Sequence, residues 1–76
     1  MKDAITDAIS KGIKFDNLSV EWSESKYTVS VVSNVFEGKS TIQRHKMIYA
    51  LLDRYIKTGE IHALTIKALT LDESKN

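Results

Sequence analysis

Ile5, Ala8, Ile9 and Ile13 recur at three- and four-residue intervals. That spacing sets one apolar face on a helix and predicts an amphipathic first segment. Asp3 and Asp7 suit its positive N-terminal end and Lys11 the other. Gly12 is then the expected stop, in the left-handed conformation that glycine adopts freely. Further on the period changes to two. Leu18, Val20 and Trp22 alternate with Ser19 and Glu21, the pattern of a half-buried strand. The polar run Ser23 to Lys26 predicts a hairpin loop. Within "YTVSVVSNVF", Tyr27, Val29 and Val31 alternate with Thr28 and Ser30, which predicts a second strand pairing antiparallel with the first.

Beyond Gly38, which suits a tight turn, Ser40 and Gln43 have the spacing of a capping box at a helix start. Ile42, His45, Tyr49, Leu52 and Ile56 follow as one apolar stripe, widened by Ile48 and Tyr55. Thr58-Gly59 ends that helix. In "IHALTIKAL" the period of two returns: His62, Leu64, Ile66 and Ala68 fall on one face, Ile61, Ala63, Thr65 and Lys67 on the other. The second set is wetter, so the first is the expected core face. Residues 70–76 are polar and expected to fray.

The predicted order is helix, strand, strand, helix, strand. A helical crossover between the second and third strands implies that these run parallel, with a right-handed connection. The expected fold class is α+β, a three-stranded mixed sheet with helices on one face, in a single domain spanning residues 1–76.

Composition narrows the function classes. There is no Cys, hence no disulfide and no thiolate ligand. A net charge of +1 argues against a strongly basic nucleic-acid binder. No stretch approaches the roughly 20 apolar residues of a membrane span, and no signal peptide is visible. A cytoplasmic protein is the expectation. Enzyme signatures are missing: no GxSxG elbow, no HExxH, and "EGKS" lacks the earlier glycine of a phosphate-binding loop.

Two histidines and one basic cluster remain. His45, inside the helical stripe, reads as a core histidine. His62 stands where the chain leaves a turn, and spacing alone leaves it between an ordinary histidine and a ligand with one exposed ring edge. Lys39, Arg44, Lys46, Arg54 and Lys57 outweigh Asp53 on the second helix and its approach. That surface is either a solvated helix face or a contact for phosphates or an acidic partner.

Three motifs in order, Phe36-x-Gly38-x-Ser40, "RHKMIY" from Arg44 to Tyr49 and "IHALTIKALT" from Ile61 to Thr70, resemble the BolA family over residues 31–73. The resemblance implies a class II KH-like fold in the order αββααβ, with the long helix broken into a short turn and a longer helix near Arg44 to Lys46. It implies a non-enzymatic adaptor, monomeric alone, that forms a heterodimer with a monothiol glutaredoxin. The pair would share a [2Fe-2S] cluster with glutathione, in cluster trafficking or iron sensing. The family's histidine at the start of the last strand corresponds to His62, the expected cluster ligand. Imidazole can replace thiolate on such iron and raises the potential. Many relatives place a second His or Cys in the first hairpin loop. Here "WSESK" has neither; Glu24 offers a carboxylate oxygen and Ser23 or Ser25 a hydroxyl, all poor matches for iron–sulfur iron. His45 corresponds to the family's "RH" pair, where a structural role is expected. The KH-like shape also implies an alternative, a DNA-binding transcriptional regulator using Lys39, Arg44 and Lys46. The turn Glu37-Gly38-Lys39-Ser40 has only one glycine of the GxxG clamp.

Overall fold

A computed structural model describes residues 1–75. The first helix, α1, spans Lys2–Gly12. Two strands come next, β1 (Asn17–Ser23) and β2 (Lys26–Val32), then a 3-10 turn at Asn34–Phe36. Helix α2 covers Thr41–Lys57, β3 Leu64–Leu69, and a four-residue α3 Leu71–Ser74. The sheet order is β1-β2-β3, antiparallel between β1 and β2 and parallel between β2 and β3. The expected α+β class and mixed sheet are therefore present.

Alternation dictates which face is covered. Val29, Val31, Ile66 and Ala68 are buried and share the face beneath the helices, where Ile5, Ile9, Ile48, Leu52 and Phe36 complete the core. Ser19, Glu21, Thr65 and Lys67 lie on the open face and are exposed. The β1–β2 hairpin is tighter than the four-residue loop expected. Ser23 pairs with Lys26, so only Glu24 and Ser25 turn the chain, both at positive φ (53° and 64°). Two positive φ angles define the turn whose twist matches the strands, and it prefers Asn-Gly. A Cβ in the left-handed region costs about 1–2 kcal/mol. Ser25→Gly should therefore raise stability by about 1 kcal/mol, which for a domain of this size is about 4–8 °C in Tm. A lower Tm in thermal unfolding would contradict the turn assignment.

Several expectations are corrected. Gly12 does not leave α1 through the left-handed region. It is the helix's last residue, followed by extended Ile13, and the only glycines at positive φ are Gly38 and Gly59. Its role is close approach: a Cβ there would sit 2.2 Å from Leu51 Cδ2 of α2. The second strand stops at Val32, because Ser33 turns the chain by capping the 3-10 turn and donating to Lys14 O.

The break expected near Arg44 to Lys46 is absent: α2 runs unbroken, and the short helical turn lies upstream at Asn34–Phe36. Ser40 fixes the helix start. Its hydroxyl accepts from Gln43 N–H (3.2 Å) while Gln43 Oε1 accepts from Ser40 N–H (2.8 Å). The stripe on α2 is also rotated from the one expected. Ile42 and Tyr49 are exposed, and the buried line runs through Ile48 and Leu52, flanked by the half-buried Arg44, Leu51 and Tyr55.

The expected frayed tail is instead tied down through residue 74, while Asn76 lies outside the described residues. Thr70 and Glu73 form a second capping box, and Leu71 N–H donates to Asn34 Oδ1 (3.3 Å).

Candidate functional site

His62 lies ahead of β3, not within it. The ladder starts at Leu64, although Tyr27 N–H still reaches Ala63 O (3.0 Å). In the irregular stretch before the strand, Ile61 takes the buried position (3 % exposed), its N–H donating to Tyr55 O (3.1 Å). The next side chain, His62, is left in solvent. Strand parity had put His62 on the core face; parity does not extend past the regular strand. Gly59, held at φ 82°, lies beside the ring: a Cβ there would be 3.6 Å from His62 Cε1. Among the described residues no hydrogen bond or ion pair engages either ring nitrogen.

The register pairs Tyr27 with Leu64. Glu24, three residues before Tyr27, and His62, two before Leu64, therefore lie at the same end of the sheet. No hydrogen bond or ion pair joins them among the described residues. Glu24 is exposed at the hairpin tip. The same end carries an aromatic pair that the alternation pattern read as half-buried. Trp22 and Tyr27 stand with ring centroids 4.5 Å apart, tilted 52°, and Trp22 is 54 % exposed. With Met1, Lys2 and Asp3 they line an open cleft of about 440 Å³.

Chemically this end offers one accessible imidazole. No group of three or more His, Cys, Asp or Glu residues able to hold a metal exists among the described residues. A complete metal site would need donors from a second molecule.

Arg44, expected on the basic surface, is withdrawn from it. Its side chain is only 12 % exposed. Nη1 and Nη2 hold Glu73 at 2.6 and 3.1 Å, Nη1 also donates to Ala68 O (3.0 Å), and Nε donates to Lys39 O (3.0 Å). The guanidinium carbon lies 6.0 Å from the Phe36 ring centroid. Four of its five N–H donors are thereby engaged, which leaves no bidentate edge for a phosphate. The hydrogen bonds from Arg44, and then the backbone N–H of Thr70, lower the Glu73 pKa to about 2. The carboxylate in turn raises that of Arg44. Lys57 pairs with Asp53 (3.0 Å) and Arg54 packs on the Tyr55 ring (5.4 Å). Of the three residues expected to form the surface, only Lys39 and Lys46 remain exposed without an acidic partner among the described residues. The structural half of the "RH" pair is thus the arginine. His45 is half-buried and makes no hydrogen bond among the described residues.

The family model described as BolA-like protein matches residues 5–73. The chain belongs to the BolA-like family. One curated relative of this BolA-like chain, an uncharacterized protein in the rpoN-murA intergenic region of Acinetobacter guillouiae, is 34% identical over 71 residues, covering 93% of this chain and 86% of that one. BolA-like protein 1 of Bos taurus is 46% identical over 48 residues, 63% of this chain. The match spans 35% of the bovine protein. Among solved structures, the BolA domain of SufE1 from Arabidopsis thaliana superposes with a TM-score of 0.84 at 33% identity, covering 95% of this chain and 93% of that one. The three-stranded mixed sheet with its helices is thus a BolA-like fold. No described helix is long and apolar enough to cross a membrane.

Proposed function

We propose that this chain is a non-enzymatic BolA-like adaptor that binds a monothiol glutaredoxin and, through His62, helps hold a [2Fe-2S] cluster shared with that partner and glutathione. The observation that carries the reading is the state of the His62 ring, which is in solvent with both nitrogens free of hydrogen bonds among the described residues. A ligand must present a neutral nitrogen lone pair, and none of the described residues competes for it. The donor set fits a contributor of one ligand. With no Cys in the sequence and no acid–histidine cluster among the described residues, this chain depends on a partner for the rest. The cluster would supply the redox and transfer chemistry. The protein's part is to hold the imidazole at the rim of a rigid sheet, with Gly59 leaving room beside it. Glu24, at the same end of the sheet, is a candidate oxygen donor on the hairpin, although carboxylate suits harder metals better than iron–sulfur iron. DNA regulation is not proposed, since Arg44 is committed to Glu73 and Ala68.

The test mixes the protein with a monothiol glutaredoxin, iron, sulfide and glutathione, and reads absorption and circular dichroism of the cluster. A spectrum distinct from the glutaredoxin homodimer is expected. His62→Ala should return it to the homodimer form, while far-UV dichroism stays unchanged because the ring is exposed. A variant that keeps the distinct spectrum would remove His62 as ligand. A wild-type mixture identical to the homodimer would remove the shared cluster.

A further inference from the structure

β3 is an edge strand, and its two halves are treated differently. Tyr27 N–H donates to Ala63 O and Ser33 N–H to Leu69 O. The odd-numbered residues of β3 therefore face β2. Successive residues of a strand direct their N–H and C=O groups to opposite sides, so Leu64, Ile66 and Ala68 turn theirs away from the sheet. Toward the C-terminal end these groups are used up apart from Ala68 N–H, which has no partner among the described residues. Ala68 O accepts from Arg44 Nη1 (3.0 Å), and the next outward donor, Thr70 N–H, goes to Glu73 Oε1 (2.9 Å). Toward the other end, the outward N–H and C=O of Leu64 and Ile66 have no partner among the described residues.

A wall stands beside this open half. Leu51 marks the flank of α2 that meets α1, through its contact at Gly12, and α1 packs over β1. At 3.6 residues per turn, Tyr49 falls on the opposite flank, the side of β3's outer edge. Tyr49 is 42 % exposed. On the open face of β3, Lys67 is exposed and has no acidic partner among the described residues.

We propose that the Leu64–Ile66 edge accepts an extended segment of a partner protein as a fourth strand, with apolar side chains toward α2 alternating with acidic ones beside Lys67. Unpaired edge groups template such pairing, and alternate side chains then confer specificity. A second copy of this chain fits less well. The Arg44–Glu73 pair and α3 close the edge beyond Ile66, and the short free stretch left cannot bring two rigid domains to the roughly 1,000 Å² that a stable interface needs. A flexible segment needs only those few bonds. The proposal stands whether or not His62 binds a cluster.

The probe is the peptide acetyl-Glu-Val-Glu-Val-Glu-Val-amide, titrated against the isotope-labelled full chain. Amide exchange should slow at Leu64 and Ile66 by about tenfold at nine-tenths saturation, with Thr65 and Lys67, already bonded to β2, unchanged. Lys67→Glu should weaken this peptide about threefold to fivefold and favour the Lys-Val counterpart instead. No protection at Leu64 and Ile66 at saturation would overturn the proposal. So would protection confined to the β1 edge, or equal binding of both peptides by both proteins. Concentration-dependent protection without peptide would replace the partner segment with a second copy.

Discussion

Phe36→Ala is expected to leave the protein close to its unfolding midpoint in water. The side chain is fully buried, and truncating a buried Phe costs about 3–5 kcal/mol. A chain of this size holds only about 4–11 kcal/mol in total. The position magnifies the loss. Phe36 ends the 3-10 turn that carries the chain from β2 to α2, and its ring lies beneath the Arg44 guanidinium. Removing the ring opens a cavity between that turn and β3 and takes away the surface on which the guanidinium rests. Urea unfolding followed by far-UV dichroism should show the midpoint falling by about 3–5 M, given a slope near 1 kcal/mol per M. Phe36→Leu should lose less than about 1.5 kcal/mol, because it keeps most of the volume. A drop of under about 1 kcal/mol for the alanine variant would mean that the turn does not belong to the core.

Glu73→Gln should destabilise the protein at neutral pH and make no difference in strong acid. Arg44 holds the folded carboxylate's pKa at about 2, against an ordinary 4.5. A folded pKa below the unfolded one means that the unfolded chain binds the proton more tightly. The pair's contribution is therefore complete above about 4.5, shrinks as the pH falls, and is gone below about 2. Urea midpoints of the two proteins should be separate at pH 7 and converge through that window. A gap of constant size across the window would show that the carboxylate's charge has no part in it. The loss at neutral pH should exceed that of Lys11→Ala, whose pair with Asp7 is largely exposed. Arg44→Met should cost more than Glu73→Gln, since it also strips Ala68 O and Lys39 O of their donor.

Strand alternation and the Ser40–Gln43 box were legible because each is a local rule, satisfied within a few residues, and the crossover followed from the length of the helical segment between β2 and β3. The core face of α2 was legible only in part: Ile48 and Leu52 are in the core, Ile42 and Tyr49 are not. Counting apolar side chains drew the stripe through Ile42 and Tyr49, whereas the buried line includes the half-buried Arg44. An arginine reads as solvent-facing until its partner is known, and Glu73 is 29 residues away. The C-terminal helix did carry a signal, Thr70-x-x-Glu73, the same type of box as at Ser40, hidden by the polarity of the tail around it. For His62 the residue was legible through the family pattern and its exposure was not. Exposure depends on Ile61 taking the buried place in a stretch where no period applies. The free groups of Leu64 and Ile66 had no signature at all, since edge status is a property of the assembled sheet.

The Glu24–Ser25 turn leaves no slack between its two strands. Lengthening a loop raises closure entropy only logarithmically, by about 0.6 kcal/mol per doubling. Insertions at that tip therefore leave Ser23 opposite Lys26 and the rest of the ladder undisturbed. Among descendants of this domain, the tip is where reach and new donor atoms can vary independently of the scaffold. Variation in side-chain chemistry should collect there, while the residues that clasp the far end of β3 stay constrained together.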